Sequence, residues 1–152
     1  MGRLTSLIKT TMRRTVLLDF DHTVALSPRA CDPAGLYIAE HVRTLISQLH
    51  SRGTDVAWYS AREEDASELG RVLLGVDWPY VPLGTFPGTD IEQKLDGLTA
   101  WGFYDQHASY LIVDDAPPPA TWLPENAAVL KVDPDTGLSP EQCQQILSWI
   151  QD

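Results

Sequence analysis

Cysteine is scarce in this chain, and the two that are present, Cys31 and Cys143, lie far apart with no Cys-x-x-Cys spacing. Their scarcity argues against a disulfide framework or a zinc ribbon, and it favours a reducing compartment, which predicts a cytoplasmic protein. Residues 1–14 also lack a long apolar run, so the sequence predicts neither a secretory signal nor a membrane span. No internal repeat is visible either.

Basic residues are outnumbered by acidic ones, 11 against 21, which gives a net charge of −10. Their distribution is uneven, because residues 1–14 hold four basic residues and no acid. The sequence therefore predicts a flexible basic leader over residues 1–14 and a single acidic domain over residues 15–152. Such a domain does not attract nucleic acid by its long-range field, although a local basic pocket can still bind a phosphate.

Apolar runs typical of buried strands alternate with segments of helical periodicity through the whole domain. Strands are predicted at 16–18, 55–59, 110–113 and 127–132, with a short one near 80–83, and helices at 32–50, 63–74, 91–101 and 139–150. The first helix is expected to begin at Asp32-Pro33, since Asp suits the N-cap and Pro the first helical position. The alternation predicts a doubly wound, Rossmann-like α/β fold, with a parallel sheet and helices on both faces.

Polar residues follow three of the predicted strands directly. Asp19 and Asp21 come after the first strand, Ser60 after the second, and Asp114 with Asp115 after a later one. Taken alone, the first pair is equally compatible with a turn capped by aspartate side chains. Because the carboxyl ends of parallel strands meet at one edge of a sheet, all three groups together indicate a binding site.

These motifs, with Lys94 at a helix start, resemble those of the haloacid dehalogenase-like (HAD) phosphohydrolases. The likeness covers nearly the whole chain from Val16 onward, and the four motifs follow the order of that family. A weaker likeness joins the segments 58–62, 68–70 and 133–138 to the phosphatase-type domains associated with bacterial RNA-repair proteins.

The resemblance implies a role for each acidic residue of the motifs. Asp19 would be the nucleophile that forms an aspartyl-phosphate, and Asp21 the general acid and then the base. Asp21 would also contribute its backbone carbonyl to a metal site that Asp19, Asp114 and Asp115 complete. Oxygen ligands favour Mg²⁺ there over zinc. Whether Asp114 is a direct ligand or a structural partner stays open.

The resemblance likewise implies that Ser60 and Lys94 bind the transferring phosphoryl group. Ser60 is equally able to cap the next helix. Lys94 could be an ordinary solvated lysine, but the only other lysines are Lys9 and Lys131, and Lys131 lies inside a predicted strand.

Three further residues near the motifs have plainer interpretations. His22 is expected to be a loop residue rather than a catalyst. Arg62 is a candidate for gripping substrate, but an ion pair with Glu64 or Asp65 is the preferred interpretation. Arg29 lies in the loop that follows the first motif and is open to either role.

The intervals between the motifs leave no room for the cap domain that large HAD members carry. An open site suits a large substrate, such as a polynucleotide end or a protein, or requires a partner to close it. Four aromatic residues in or beside the neighbouring loops could stack on a base or serve as core anchors. They are Trp78, Tyr80, Phe86 and Trp122.

The function expected from the sequence is a Mg²⁺-dependent phosphatase acting on a phosphomonoester, with no membrane partner. Two alternatives use the same fold. One is a phosphoacceptor receiver domain, whose acidic pair comes first in the chain rather than last. The other is a non-catalytic interaction domain, which the presence of all four motifs disfavours. A dehalogenase or phosphonatase would need groups that the sequence does not contain.

Overall fold

The computed structural model describes residues 13–26, 35–85, 87–102 and 108–151. Its centre is a four-stranded sheet in the order β2-β1-β3-β4, with every pair of neighbouring strands parallel. The strands are β1 (Arg13–Leu18), β2 (Asp55–Trp58), β3 (Ala108–Asp114) and β4 (Ala127–Lys131). Strand β2 lies on one side of β1, and β3 lies on the other side. A crevice is expected at the carboxyl ends of β1 and β3, where the direction of strand addition reverses.

Within the described ranges, four α-helices cover the two faces of this sheet, which confirms the predicted doubly wound α/β fold. They are α1 (Glu40–Ser51), α2 (Glu64–Leu69), α3 (Asp90–Trp101) and α4 (Pro140–Gln151). Helix α2 runs on into a π-helical turn over Gly70–Leu74, and a 3-10 turn spans Ala120–Trp122. Apolar side chains of α1, α2 and α4 pack on the face of Val16 and Leu18, while α3 packs on the face of Leu17.

Helix α1 begins later than the sequence predicts. Asp32 and Pro33 lie outside the described residues, but residues 35–39 are not helical, and α1 starts at Glu40 after Ala39. Tyr37 is instead held extended by two backbone hydrogen bonds with Leu26, of 2.8 and 3.0 Å. Because Tyr37 makes these hydrogen bonds with Leu26, it is not part of a helix. The predicted start of α1 at Asp32-Pro33 was therefore wrong.

The boundary of the predicted leader also needs correction. Arg13 and Arg14 belong to β1 rather than to a flexible segment, since they pair with Ala108 and Ser109 of β3. The rest of the predicted leader, residues 1–12, lies outside the described part of the chain. The short strand predicted near residues 80–83 is reduced to a single bridge between Tyr80 and Trp58.

Two features of the connections determine what surrounds the carboxyl edge of the sheet. Helix α3 lies against the preceding loop at Gly97, where a Cβ would stand only 1.8 Å from the Pro82 carbonyl oxygen. Among the described residues, the segments between β1 and α1 and between β2 and α3 form no second sheet over the site, and the absence of a cap stays a prediction of the sequence. None of the described helices combines the length and apolarity needed to cross a membrane.

Candidate active site

Three carboxylates meet where β1 and β3 end. Leu18 pairs with Val113, and the Asp19 amide donates a 2.9 Å hydrogen bond to the Val113 carbonyl, so Asp19 lies beside Asp114. One carboxylate oxygen from each of Asp19, Asp114 and Asp115 lies within 4.8 Å of the others. Such a set of oxygen donors suits a hard divalent cation.

Lys94 provides the positive charge beside these carboxylates. Its Nζ lies 2.6 Å from Asp114 Oδ2, 3.5 Å from Asp19 Oδ1 and 4.5 Å from the centre of the Tyr59 ring. The residue is only 9% exposed, which is rare for lysine and depends on these partners. Helix α3 holds it there through a capping box at its first turn, in which Thr89 and Glu92 exchange hydrogen bonds.

Asp19 is the most perturbed acid of the group. Burial raises the pKa of its carboxyl group to about 9, Lys94 opposes this shift, and Asp114 adds to it. One cation therefore does not offset the burial and mutual repulsion of the carboxylates. A proton on Asp19, or a bound cation beside it, would relieve this imbalance.

The oxygens of Asp19 and Asp114 also have neutral hydrogen-bond donors. Thr23 Oγ1 donates to Asp19 Oδ2 at 3.3 Å, within the loop that follows β1. The Ala116 amide donates to Asp114 Oδ1 at 3.0 Å, so both oxygens of Asp114 have a partner in the protein. Asp115 is more exposed than either residue.

Asp21 lies beside this group rather than within it. Its half-buried side chain accepts a 2.7 Å hydrogen bond from Arg62 Nε, and the Arg62 guanidinium lies 5.7 Å from the centre of the Phe20 ring. The hydrogen bond from Arg62 to Asp21 raises the pKa of the guanidinium. An ion pair with Glu64 or Asp65 was predicted for Arg62. That prediction was wrong, because Arg62 pairs with Asp21.

Ser60 is buried two residues after the end of β2 and does not cap the following helix. Its Oγ accepts a 3.1 Å hydrogen bond from the Arg62 amide, and the N-cap of α2 is Glu63, which has no side-chain cap. The neighbouring Tyr59 is 1% exposed, and its hydroxyl has no hydrogen-bond partner within the described residues. Burial raises the pKa of that hydroxyl.

All six residues singled out from the sequence line one cavity of about 250 Å³. They are Asp19, Asp21, Ser60, Lys94, Asp114 and Asp115. The first turn of α3 contributes Asp90 and Ile91, and the loops contribute His22, Ala61 and Ala116. The structure therefore brings the predicted groups together, while their chemical roles stay predictions.

Three of the four aromatic residues considered for base stacking do not line this cavity. Trp78 is a core anchor, with its ring 5.4 Å from that of Trp58, and Tyr80 packs on the same cluster. Trp122 is 48% exposed, whereas Phe86 and Arg29 lie outside the described residues.

Sequence reasoning missed Tyr59 and expected His22 only as a loop residue, whereas His22 also lines the cavity. The aromatic ring of Tyr59 supports Lys94, and the only signal for it was its position next to Ser60. His22 lines the cavity in a left-handed backbone conformation, with a φ of 62°. That conformation is a property of the folded loop, and the sequence carries no direct signal for it.

Comparison with known proteins supports the fold. No protein-family model matches the sequence, and no curated protein matches it. Among solved structures, the chain is similar to the HAD domain of effector protein Lem4 from Legionella pneumophila. The two share 13% identity with a TM-score of 0.58, over 90% of this chain and 95% of that one. The chain therefore has a HAD-like fold, as its motifs predicted.

Proposed function

We propose that this protein is a Mg²⁺-dependent phosphatase that hydrolyses phosphomonoesters through an aspartyl-phosphate on Asp19. The observation that carries the proposal is the placement of Asp19 against Lys94, Asp114 and Asp115, in one cavity at the carboxyl edge of a HAD-like sheet. An attacking carboxylate, a cation and a set of metal ligands are the parts that phosphoryl transfer requires.

The residues present fit a magnesium ion. Asp19 and Asp115 would hold it with their carboxylates and Asp21 with its backbone carbonyl, while Asp114 lies close enough to ligate directly or to orient Lys94. Bound there, the ion would neutralise the charge that otherwise opposes the approach of a phosphate to these carboxylates.

In the first step, an Asp19 oxygen attacks phosphorus and the bond to the leaving oxygen breaks. Lys94 and the Ser60 hydroxyl stabilise the negative charge on the transferring phosphoryl oxygens. Asp21 gives its proton to the leaving alcohol, which requires its pair with Arg62 to loosen when substrate enters. The products of this step are the alcohol and the acyl phosphate of Asp19.

In the second step, water attacks the phosphorus of the acyl phosphate and frees the Asp19 carboxylate. Asp21, now ionised, takes a proton from this water. Arg62 Nε, which donates to Asp21 Oδ2 at 2.7 Å, would orient this carboxylate for the step.

Hydrolysis of p-nitrophenyl phosphate by the full chain tests the proposal. Activity should require Mg²⁺, disappear in EDTA, and fall by at least about a thousandfold in D19N. Asn keeps the size of the side chain but cannot attack as an anion. The matched control is D77N, since Asp77 is exposed and outside the cavity, and its activity should equal that of the parent protein.

The substrate class is proposed from the openness of the site. Because no second sheet of the described residues covers the cavity, the site suits a large phosphorylated substrate or a partner that closes it. A panel of nucleotides, 3′- and 5′-phosphorylated oligonucleotides, sugar phosphates and phosphopeptides would rank the classes. No hydrolysis across the panel would contradict the enzymatic proposal and favour an interaction domain.

A further inference from the structure

His22 occupies a backbone conformation that a glycine adopts at lower cost. Its φ of 62° lies in the left-handed region, where a non-glycine residue is uncommon. Residues kept in such conformations are frequent at functional sites, where the surrounding structure holds them in place. At this position the chain has an imidazole side chain in spite of the cost of the backbone conformation.

The imidazole ring of His22 is anchored at one nitrogen. Nδ1 lies 3.2 Å from the backbone carbonyl oxygen of Pro134. A carbonyl only accepts hydrogen bonds, so Nδ1 carries the proton in the neutral ring, and Nε2 is then a hydrogen-bond acceptor. Within the described residues, His22 makes no other side-chain hydrogen bond.

The turn that holds the His22 ring is itself fixed to the site loop. The Leu138 amide donates a 3.0 Å hydrogen bond to the Thr23 carbonyl oxygen. Gly137 approaches the same oxygen so closely that a Cβ there would stand 3.0 Å away, and its φ is +69°. The segment 133–138 therefore orients His22 before any substrate binds, which reduces the entropy lost on binding.

The position of His22 in the cavity favours contact with the leaving group. Lys94 contacts Asp19, the proposed nucleophile, and Asp114. His22 lines the same cavity as Asp21, the residue proposed to protonate the leaving oxygen. With Nδ1 directed at the Pro134 carbonyl oxygen, Nε2 is the ring nitrogen left to contact hydroxyl groups of the alcohol.

We propose that His22 is a specificity-determining residue, whose Nε2 accepts a hydrogen bond from a hydroxyl group of the leaving alcohol. The site would then favour phosphate esters of polyols, sugars or nucleosides over esters of simple alcohols. The inference rests on the proposed phosphatase function and names the substrate class of that same cavity.

Two substrates of equal carbon number isolate the hydroxyl contact, glycerol 1-phosphate and propyl phosphate. In the parent protein with Mg²⁺, kcat/KM should be about three- to tenfold higher for glycerol 1-phosphate, the range of one hydrogen bond. In H22N and H22G, the ratio of the two kcat/KM values should fall towards one. Both replacements tolerate the left-handed backbone, so thermal denaturation should show folded proteins.

The control is H50N, because His50 is exposed at the end of α1 and outside the cavity, and it should keep the parental ratio. A parental ratio near one, or a ratio unchanged in both His22 variants, would overturn the proposal for His22. If p-nitrophenyl phosphate is hydrolysed all the same, the phosphatase function survives that result. If the parent protein hydrolyses none of the three esters, the phosphatase function and the role of His22 both fail.

Discussion

The amino edge of the sheet, where the parallel strands begin, and the carboxyl edge, where they end, differ in how their charged side chains are paired. At the amino edge, Asp55 accepts a 2.8 Å hydrogen bond from Thr15 and pairs with Arg13 at 3.3 Å, in partly exposed positions. The Arg14 guanidinium donates to the Trp149 carbonyl near the end of α4 and lies over the Trp149 ring. Positive charge there complements the carbonyl end of a helix, so each charged group is matched or solvated.

At the carboxyl edge, the charges are buried and unbalanced. Asp19 and Asp114 share the nearby cation Lys94, with the Asp115 carboxylate close by, and burial raises the pKa of Asp19 to about 9. The same sheet therefore has one edge that contributes stability and one edge that costs stability in the absence of a ligand. This contrast is typical of sites whose charges are arranged for a substrate or ion rather than for folding.

Removal of Lys94 should disturb the charge balance of the carboxyl edge most. K94M leaves the carboxylates with no cation and the transferring phosphoryl group with one fewer stabilising charge. We expect kcat for p-nitrophenyl phosphate to fall by about a hundredfold or more. K131M is the control, since Lys131 is an exposed residue of β4, and steady-state kinetics should show parental activity.

The substitution D19N should stabilise the protein in EDTA. Because the pKa of Asp19 is about 9 in the folded protein and 3.8 in an unfolded chain, its contribution to stability is complete below pH 3.8. It is lost progressively as the pH rises towards 9. At pH 8, urea unfolding should give D19N a free energy of unfolding about 2 kcal/mol above the parent protein, with a smaller difference at pH 5. Equal stability at both pH values would contradict the imbalance described for the carboxyl edge.

Magnesium should make the parent protein more stable than D19N, the reverse of their order in EDTA. A cation that binds only the folded state stabilises it by mass action, and D19N lacks one of the ligands. Adding Mg²⁺ at pH 8 should raise the melting temperature of the parent protein and leave D19N nearly unchanged. A shift of the same size in both proteins would place the ion elsewhere.

Tyr59 should matter through its ring and not through its hydroxyl. Y59F keeps the ring beneath Lys94 and removes a buried hydroxyl without a partner in the described structure, so it should retain activity and gain stability. Y59L removes the ring, and kcat should fall about three- to fivefold, the range of one cation–π contact. Equal losses in the two variants would exclude this role for the ring.

The smallest change is expected at the amino edge. D55N removes one partly exposed charge pair while the side-chain amide can still accept from Thr15. The free energy of unfolding should fall by about 0.5 kcal/mol, and activity should not change. D55N and D19N therefore shift stability in opposite directions, which denaturant titrations side by side would show.

Local sequence patterns predicted the strands and most helices, because each depends on residues close together in the chain. The cavity was predicted because the polar residues that follow parallel strands meet at one edge of the sheet. Val16–Leu18 leads directly into Asp19, and parallel pairing then brings Asp114 beside it. The start of α1 was wrong because Tyr37 pairs with Leu26 across the loop. The partner of Arg62 was missed for the same reason, since Asp21 becomes its neighbour only after folding.

The most direct test of the central claim is to trap the phosphate on Asp19. The variant D21N should accumulate the acyl phosphate from p-nitrophenyl phosphate, because nitrophenolate leaves without a proton while the second step lacks its base. Borohydride reduction would convert the phosphorylated side chain to homoserine, and peptide mass spectrometry would locate it. We predict homoserine at position 19, in a substrate- and Mg²⁺-dependent manner. Hydrolysis without modification at position 19, or with modification of another residue, would contradict the claim that Asp19 is the nucleophile.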